Sequence, residues 1–199
     1  MAADTGVVLR ELLGIVPRLY APSFVATLGD LFTSPVVALV AVQLSGRGPA
    51  AAGTAAAVSG LAGMTMQLPA ASLYSWRGPR QTLGLGALIS ALGTLLAAAS
   101  VNAHRFSAFL AATALMGSGR ALMRMATTSY MRELAPLEIR GRATALSGGI
   151  HRAAAIVAPL IGGSAASRFG MAGPFILGGL AKALASVMFL LGPTPSKSA

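Results

Sequence analysis

Apolar and small residues fill this chain in long runs broken by short polar turns. Six runs stand out: Pro22–Leu44, Pro49–Tyr74, Thr82–Ser100, Phe106–Met131, Ala143–Phe169 and Met171–Leu191. Each is near ~20 residues, the length of helix that crosses a bilayer. Backbone groups in lipid must be satisfied within their own segment, so all six are predicted to be helices. The expected fold class is all-α transmembrane, a six-helix bundle over residues 21–191. Residues 1–20 are read as a cytoplasmic segment and 192–199 as a polar cytoplasmic tail. Val8, Leu12, Val16 and Leu19 recur at helical spacing, which predicts a short interfacial helix before the first span. Met1 to Tyr20 lacks the basic start and clean apolar centre of a secretory signal. Alanine and glycine abound in the spans and allow close helix approach. The row Ala154, Ala158, Gly162, Ala166 makes one flat ridge at i+4 spacing, read as ordinary packing.

Composition agrees with this pattern. The chain is 55% hydrophobic and only 10% charged, against about 25% charged in a soluble domain, too few charges for a water-covered surface. The net charge is +10, but most basic residues sit in turns between apolar runs, so topology explains them better than nucleic acid does. One side of the membrane would hold Arg10, Arg18, Arg77, Arg80, Arg132, Arg140, Arg142 and Lys197, the other only Arg47, Arg105 and Arg168. The richer side is expected to be cytoplasmic, with both termini there. The absence of cysteine excludes disulfides, thiolate metal sites and cysteine nucleophiles.

A few polar residues fall inside the spans. Asp30 is the only acid among them, and Arg120, Arg124, His151, Arg152 and Lys182 supply the basic groups. Ser23, Thr27, Asp30 and Ser34 share a face of the first span. Thr113, Gly117, Arg120, Arg124 and Thr127 share one of the fourth. At 1.5 Å per residue, Asp30 lies roughly 12 Å from the cytoplasmic end of its span, Arg124 roughly 10 Å, Arg120 roughly 16 Å, and His151 and Arg152 roughly 12–14 Å. A charge at that depth costs several kcal/mol unless it meets a partner or a cavity. Asp30, Arg120, Arg124, His151 and Arg152 are therefore the candidate solute- and ion-binding residues. Asp30 is expected to pair with Arg120 or Arg124 and to act as the proton-responsive group. The surplus of cations points to an anionic or electron-rich solute.

The loop from Arg132 to Arg142 carries Pro136-x-Glu138-x-Arg140-Gly141-Arg142. Further on come Ala158-Pro159-x-x-Gly162-Gly163 and Arg168-Phe169-Gly170 followed by Pro174-Phe175. Together these resemble the fourth helix, cytoplasmic loop and fifth helix of the major facilitator superfamily, most clearly over residues 110–191. The resemblance implies a transporter in which the first, fourth and part of the fifth helix line a central cavity and the sixth lies more peripherally. Lys182 on the sixth span is accordingly read as snorkelling or packing. The turn between the second and third spans keeps Gly78 and Arg80 of the family's pattern. It has Ala71 for a glycine, Ser75 for the aspartate and Trp76 for an arginine, so the usual charge lock there is in doubt. Gly78, Arg80, Arg140, Gly141 and Arg142 are the gating-loop candidates. Pro159 is the candidate helix kink, with Ala154 and Ala158 where the family signature has glycines. A faint internal likeness links Gln67-Leu68-Pro69 through Arg77-Gly78 to Ala158-Pro159 through Gly170, as in inverted transporter repeats.

Enzymatic readings fail. There is no HExxH and no GxxxxGK[ST], and Gly117-Ser118-Gly119 is not the motif of an intramembrane serine protease. Two histidines with so few partners make no metal site, and no cofactor is expected. The expected partners are the lipid bilayer, a small-molecule solute, and a second six-helix half or another copy of this chain, with no nucleic acid. The chain is read as the amino-terminal half of a transporter working by alternating access, with proton coupling. The alternative is a truncated or non-transporting half that serves as a membrane scaffold or regulatory partner.

Overall fold

A computed structural model of the protein describes residues 19–134, 137 and 140–192. The interfacial helix expected before residue 19 and the polar tail from residue 193 lie outside the described residues. So do Arg10, Arg18, Lys197 and the loop residues Pro136 and Glu138. The described chain is helical: α1 (Ala21–Ser45), α2 (Pro49–Asn102), α3 (Phe106–Leu134), α4 (Arg140–Phe169) and α5 (Gly173–Leu191), with a 3-10 turn at Gly170–Ala172. Four helical stretches are long and apolar enough to cross a membrane: Ala21–Ser45, Pro49–Asn102, Phe106–Glu133 and Arg140–Leu191. Six separate spans are thus not resolved as such: two of the four stretches exceed fifty residues, each interrupted only briefly, at Gly78 and at Gly170–Ala172.

The clearest difference lies at residues 75–80, expected to be a loop. Helix persists on both sides, and only Gly78 leaves it, at φ 79° and ψ 174°. That backbone conformation suits a residue without Cβ, and Pro79 then restarts the helix at a position where a missing N–H costs nothing. The chain reverses there. Gly117 of α3 packs on Ser59 in the first half of α2 (49–77). Gly119, two residues on, packs on Gly86 and Ser90 in the second half (79–102). Both halves therefore reach the same level of α3, which only a folded-back α2 allows.

Helix spacing depends on small residues. A Cβ on Gly29 would lie 2.6 Å from the Gly178 carbonyl oxygen, and one on Gly178 would lie 2.7 Å from that of Gly29. These glycines bring α1 and α5 into backbone contact. Gly162 meets the Phe32 backbone, and Ala154, Ala158 and Gly162 are buried while Ala166 is half-buried, so most of the expected ridge is indeed a packing face. Pro159 is exposed, and α4 continues as helix on both sides of it.

Two apolar clusters result. One joins Leu19, Tyr20, Leu83, Tyr130, Ala143 and Phe189. The other joins Val40, Ala55, Ala97, Phe109, Met116 and Phe175, with the Phe109 and Phe175 rings edge to face at 6.0 Å. Hydrogen bonds close the first end. Tyr20 donates to the Ala143 carbonyl (2.9 Å), Tyr74 to Glu133 Oε1 (2.7 Å), and Arg80 Nε to the Phe189 carbonyl (3.0 Å).

Replacing Gly178 with valine should force α1 and α5 apart and cost about 1–3 kcal/mol. The exposed Gly53, whose Cβ would meet nothing within 4 Å, should accept alanine without loss. Thermal unfolding in detergent would separate the two. An unchanged Gly178→Val midpoint would contradict the close crossing.

Candidate functional site

A polar layer lies between the two apolar clusters, built by residues near the middle of four helical segments. α1 contributes Asp30, the second half of α2 Thr94, α3 Arg120 and α5 Lys182. Lys182 Nζ stands 2.7 Å from Asp30 Oδ1, and Arg120 Nε stands 3.5 Å from the same oxygen. Lys182 also donates to Thr94 Oγ1 at 2.9 Å. The contact of its ammonium with Asp30 is an ion pair. The Lys182 side chain is 1% exposed, that of Asp30 21% and that of Arg120 46%.

The expectation for Lys182 is thereby corrected. It does not snorkel and is not peripheral: it is the nearest partner of the single acid in the layer. The glycine contact explains why. With Gly29 against Gly178, α5 lies close enough to α1 for the lysine stem to run past Gly29, where a Cβ would come within 2.8 Å of Lys182 Cγ. The ammonium group then has nowhere to go but Asp30 and Thr94. The signal available in the sequence was only the rarity of a lysine in the middle of an apolar helix.

Of the two arginines expected to pair with Asp30, Arg120 does so and Arg124 does not, among the described residues. Arg124 instead lines a cavity of about 560 Å³ between the first half of α2 and α3. Ser59, Gln67, Arg120, Arg124, Thr128 and Ser129 give this cavity its polar wall, and Met64, Ala121 and Met125 an apolar one. Arg120 thus belongs both to the cavity and to the ion cluster. His151 and Arg152 are exposed and do not line the cavity.

The gating-loop candidates divide likewise. Gly78 makes the reversal in α2. Arg80 binds the Phe189 carbonyl, a free acceptor at the end of α5. Arg140 Nη2 donates to the Arg132 carbonyl at 3.0 Å, while Gly141 and Arg142 are exposed. Ser75, which replaces the expected aspartate, donates to the carbonyl of Ser72 on its own helix. The link to α3 is made one residue earlier, by Tyr74 and Glu133.

Residues 19–199 match the family model described as Major Facilitator Superfamily. Neither a curated protein nor a solved structure matches the chain.

Thr94→Val would leave the buried ammonium of Lys182 without its hydroxyl acceptor. The expected cost is about 1.5–3 kcal/mol, as for a lost hydrogen bond to a charged group. Thr54→Val, at an exposed hydroxyl bonded only within its own helix, should change nothing measurable. Detergent melting curves of the two variants provide the check.

Proposed function

The chain belongs to the major facilitator superfamily and works in membrane transport; we propose that it carries a small anionic solute by alternating access, with Asp30 as its proton-responsive group. The observation behind this reading is the joint position of Arg120, which touches the only acid of the polar layer and also lines the cavity. Solute and carboxylate then compete for one cation. A solute anion that draws Arg120 into the cavity removes a counter-charge from Asp30, and a proton can take its place. Coupling of solute to proton needs such a shared group.

The architecture that supports alternating access is six crossings. The stretches Pro49–Asn102 and Arg140–Leu191 each cross twice in this reading, the first reversing at Gly78 and the second at Gly170–Ala172. The end that carries Tyr20, Tyr74, Arg80 and Phe189 also carries Arg77, Arg132, Arg140 and Arg142 and is assigned to the cytoplasm. Gly78, Arg80, Arg140, Gly141 and Arg142 form the gate there. Arg124 borders the cavity and is exposed, as are His151 and Arg152. Lipid is a poor cover for such charges, so a second bundle, from another half or another copy of this chain, completes the site.

Liposomes containing the purified chain test the reading. A pH gradient should drive accumulation of an organic anion, and photobleaching should count two bundles in each active particle. Asp30→Asn should abolish pH-driven accumulation and leave anion exchange measurable. Accumulation by that variant with an unchanged pH dependence would reduce Asp30 to a structural counter-ion. No flux of any solute would favour the scaffold reading.

Orientation has its own check. A cysteine at position 75 or 137 should resist an impermeant thiol reagent added outside, and one at position 102 should react. The reverse pattern would invert the assignment.

A further inference from the structure

Asp30 has more counter-charge than one carboxylate needs. Its Oδ1 faces Lys182 at 2.7 Å and Arg120 at 3.5 Å. The two near cations differ in freedom. Lys182 is enclosed, 1% exposed and tied to Thr94. Arg120 is 46% exposed, and it lines the cavity with Arg124, one helical turn further along α3. Among the described residues, no carboxylate lines that cavity.

We propose that Lys182 is a positioning residue, the resident counter-ion of Asp30, and that its presence frees Arg120 to turn into the cavity and bind solute with Arg124. Two guanidinium groups a turn apart suit a carboxylate, which accepts forked hydrogen bonds from arginine. The walls formed by Met64, Ala121 and Met125 suit an apolar body. The solute class is therefore a small organic carboxylate, and about 560 Å³ is ample for one. Without Lys182, Arg120 would be the one cation near enough to neutralise Asp30 among the described residues, and the partly buried carboxylate would hold it there. This inference rests on the anionic-solute reading above and adds to it the division of labour between the two cations.

The test is calorimetric titration of the purified full chain in detergent with benzoate, inorganic phosphate and tetraethylammonium. Wild type should bind benzoate more tightly than phosphate and should not bind tetraethylammonium. Arg120→Gln and Arg124→Gln should each weaken benzoate at least tenfold. Lys182→Met should do the same, although Lys182 does not line the cavity. The double variant D30N/K182M, which removes both buried charges, should return to within threefold of wild type. Lys182→Gln carries the same expectation as Lys182→Met and keeps a polar partner for Thr94, should the methionine variant fail to fold. Rescue by the second substitution is what a merely structural lysine would not give. Wild-type affinity in the lysine variants, or a double variant that stays weak, would overturn the role of Lys182 and leave the anion reading standing. Phosphate bound as tightly as benzoate would overturn the carboxylate class. Tetraethylammonium bound in place of benzoate would sink the anion reading itself.

Discussion

The ion pair between Asp30 and Lys182 is the constraint on which the rest of the bundle depends. Two opposite charges are held at 2.7 Å among helices that are otherwise apolar. Removing Asp30 would leave the enclosed ammonium of Lys182 uncompensated, at a cost of about 3–5 kcal/mol, whereas removing Lys182 would leave Asp30 to Arg120. The pair can form only because Gly29 and Gly178 let α1 and α5 touch backbone to backbone. Small residues and charges are thus parts of one device. The glycines set the distance, the distance sets the pairing, and the pairing fixes the rotation of α5 so that Lys182 faces inward.

From that pair the polar layer spreads toward the open face. Thr94 anchors the lysine to the second half of α2. Arg120 reaches Asp30 from α3 and also borders the cavity between α3 and the first half of α2. The apolar clusters above and below keep the layer out of register with water at either end. Polarity rises from the enclosed lysine, through the partly exposed acid, to the exposed arginines. The group most tightly held is enclosed, and the arginines are accessible.

The end that carries Tyr20, Arg80 and Phe189 is closed by single hydrogen bonds between polar side chains and carbonyl or carboxylate oxygens, not by a network of paired charges. Tyr74 bonds Glu133 and Arg80 the Phe189 carbonyl, while Ser75 holds the place of the family pattern's aspartate. Trp76, fully on the surface with Arg77 over its ring at 5.4 Å, occupies the place of an arginine in that pattern. Such bonds are individually modest.

The sequence by itself determined the class and the depth of the site. Apolar runs near bilayer length can be satisfied in lipid only as helices, so the helical, membrane-spanning character was legible from composition and run length. The rise per residue then put Asp30 and Arg120 at comparable depth. It placed a turn at residues 75–80 but did not determine its form, because helix runs up to Gly78 from both sides and one residue makes the break. Nor did it determine which cation meets Asp30. Arg124 and Lys182 are both basic residues inside apolar helices, and periodicity treats them alike. The tertiary structure decided between them through the crossing of Gly29 and Gly178, which drew Lys182 into the core, while Arg124, one turn past Arg120 on α3, was carried beyond reach of the acid and into the wall of the cavity.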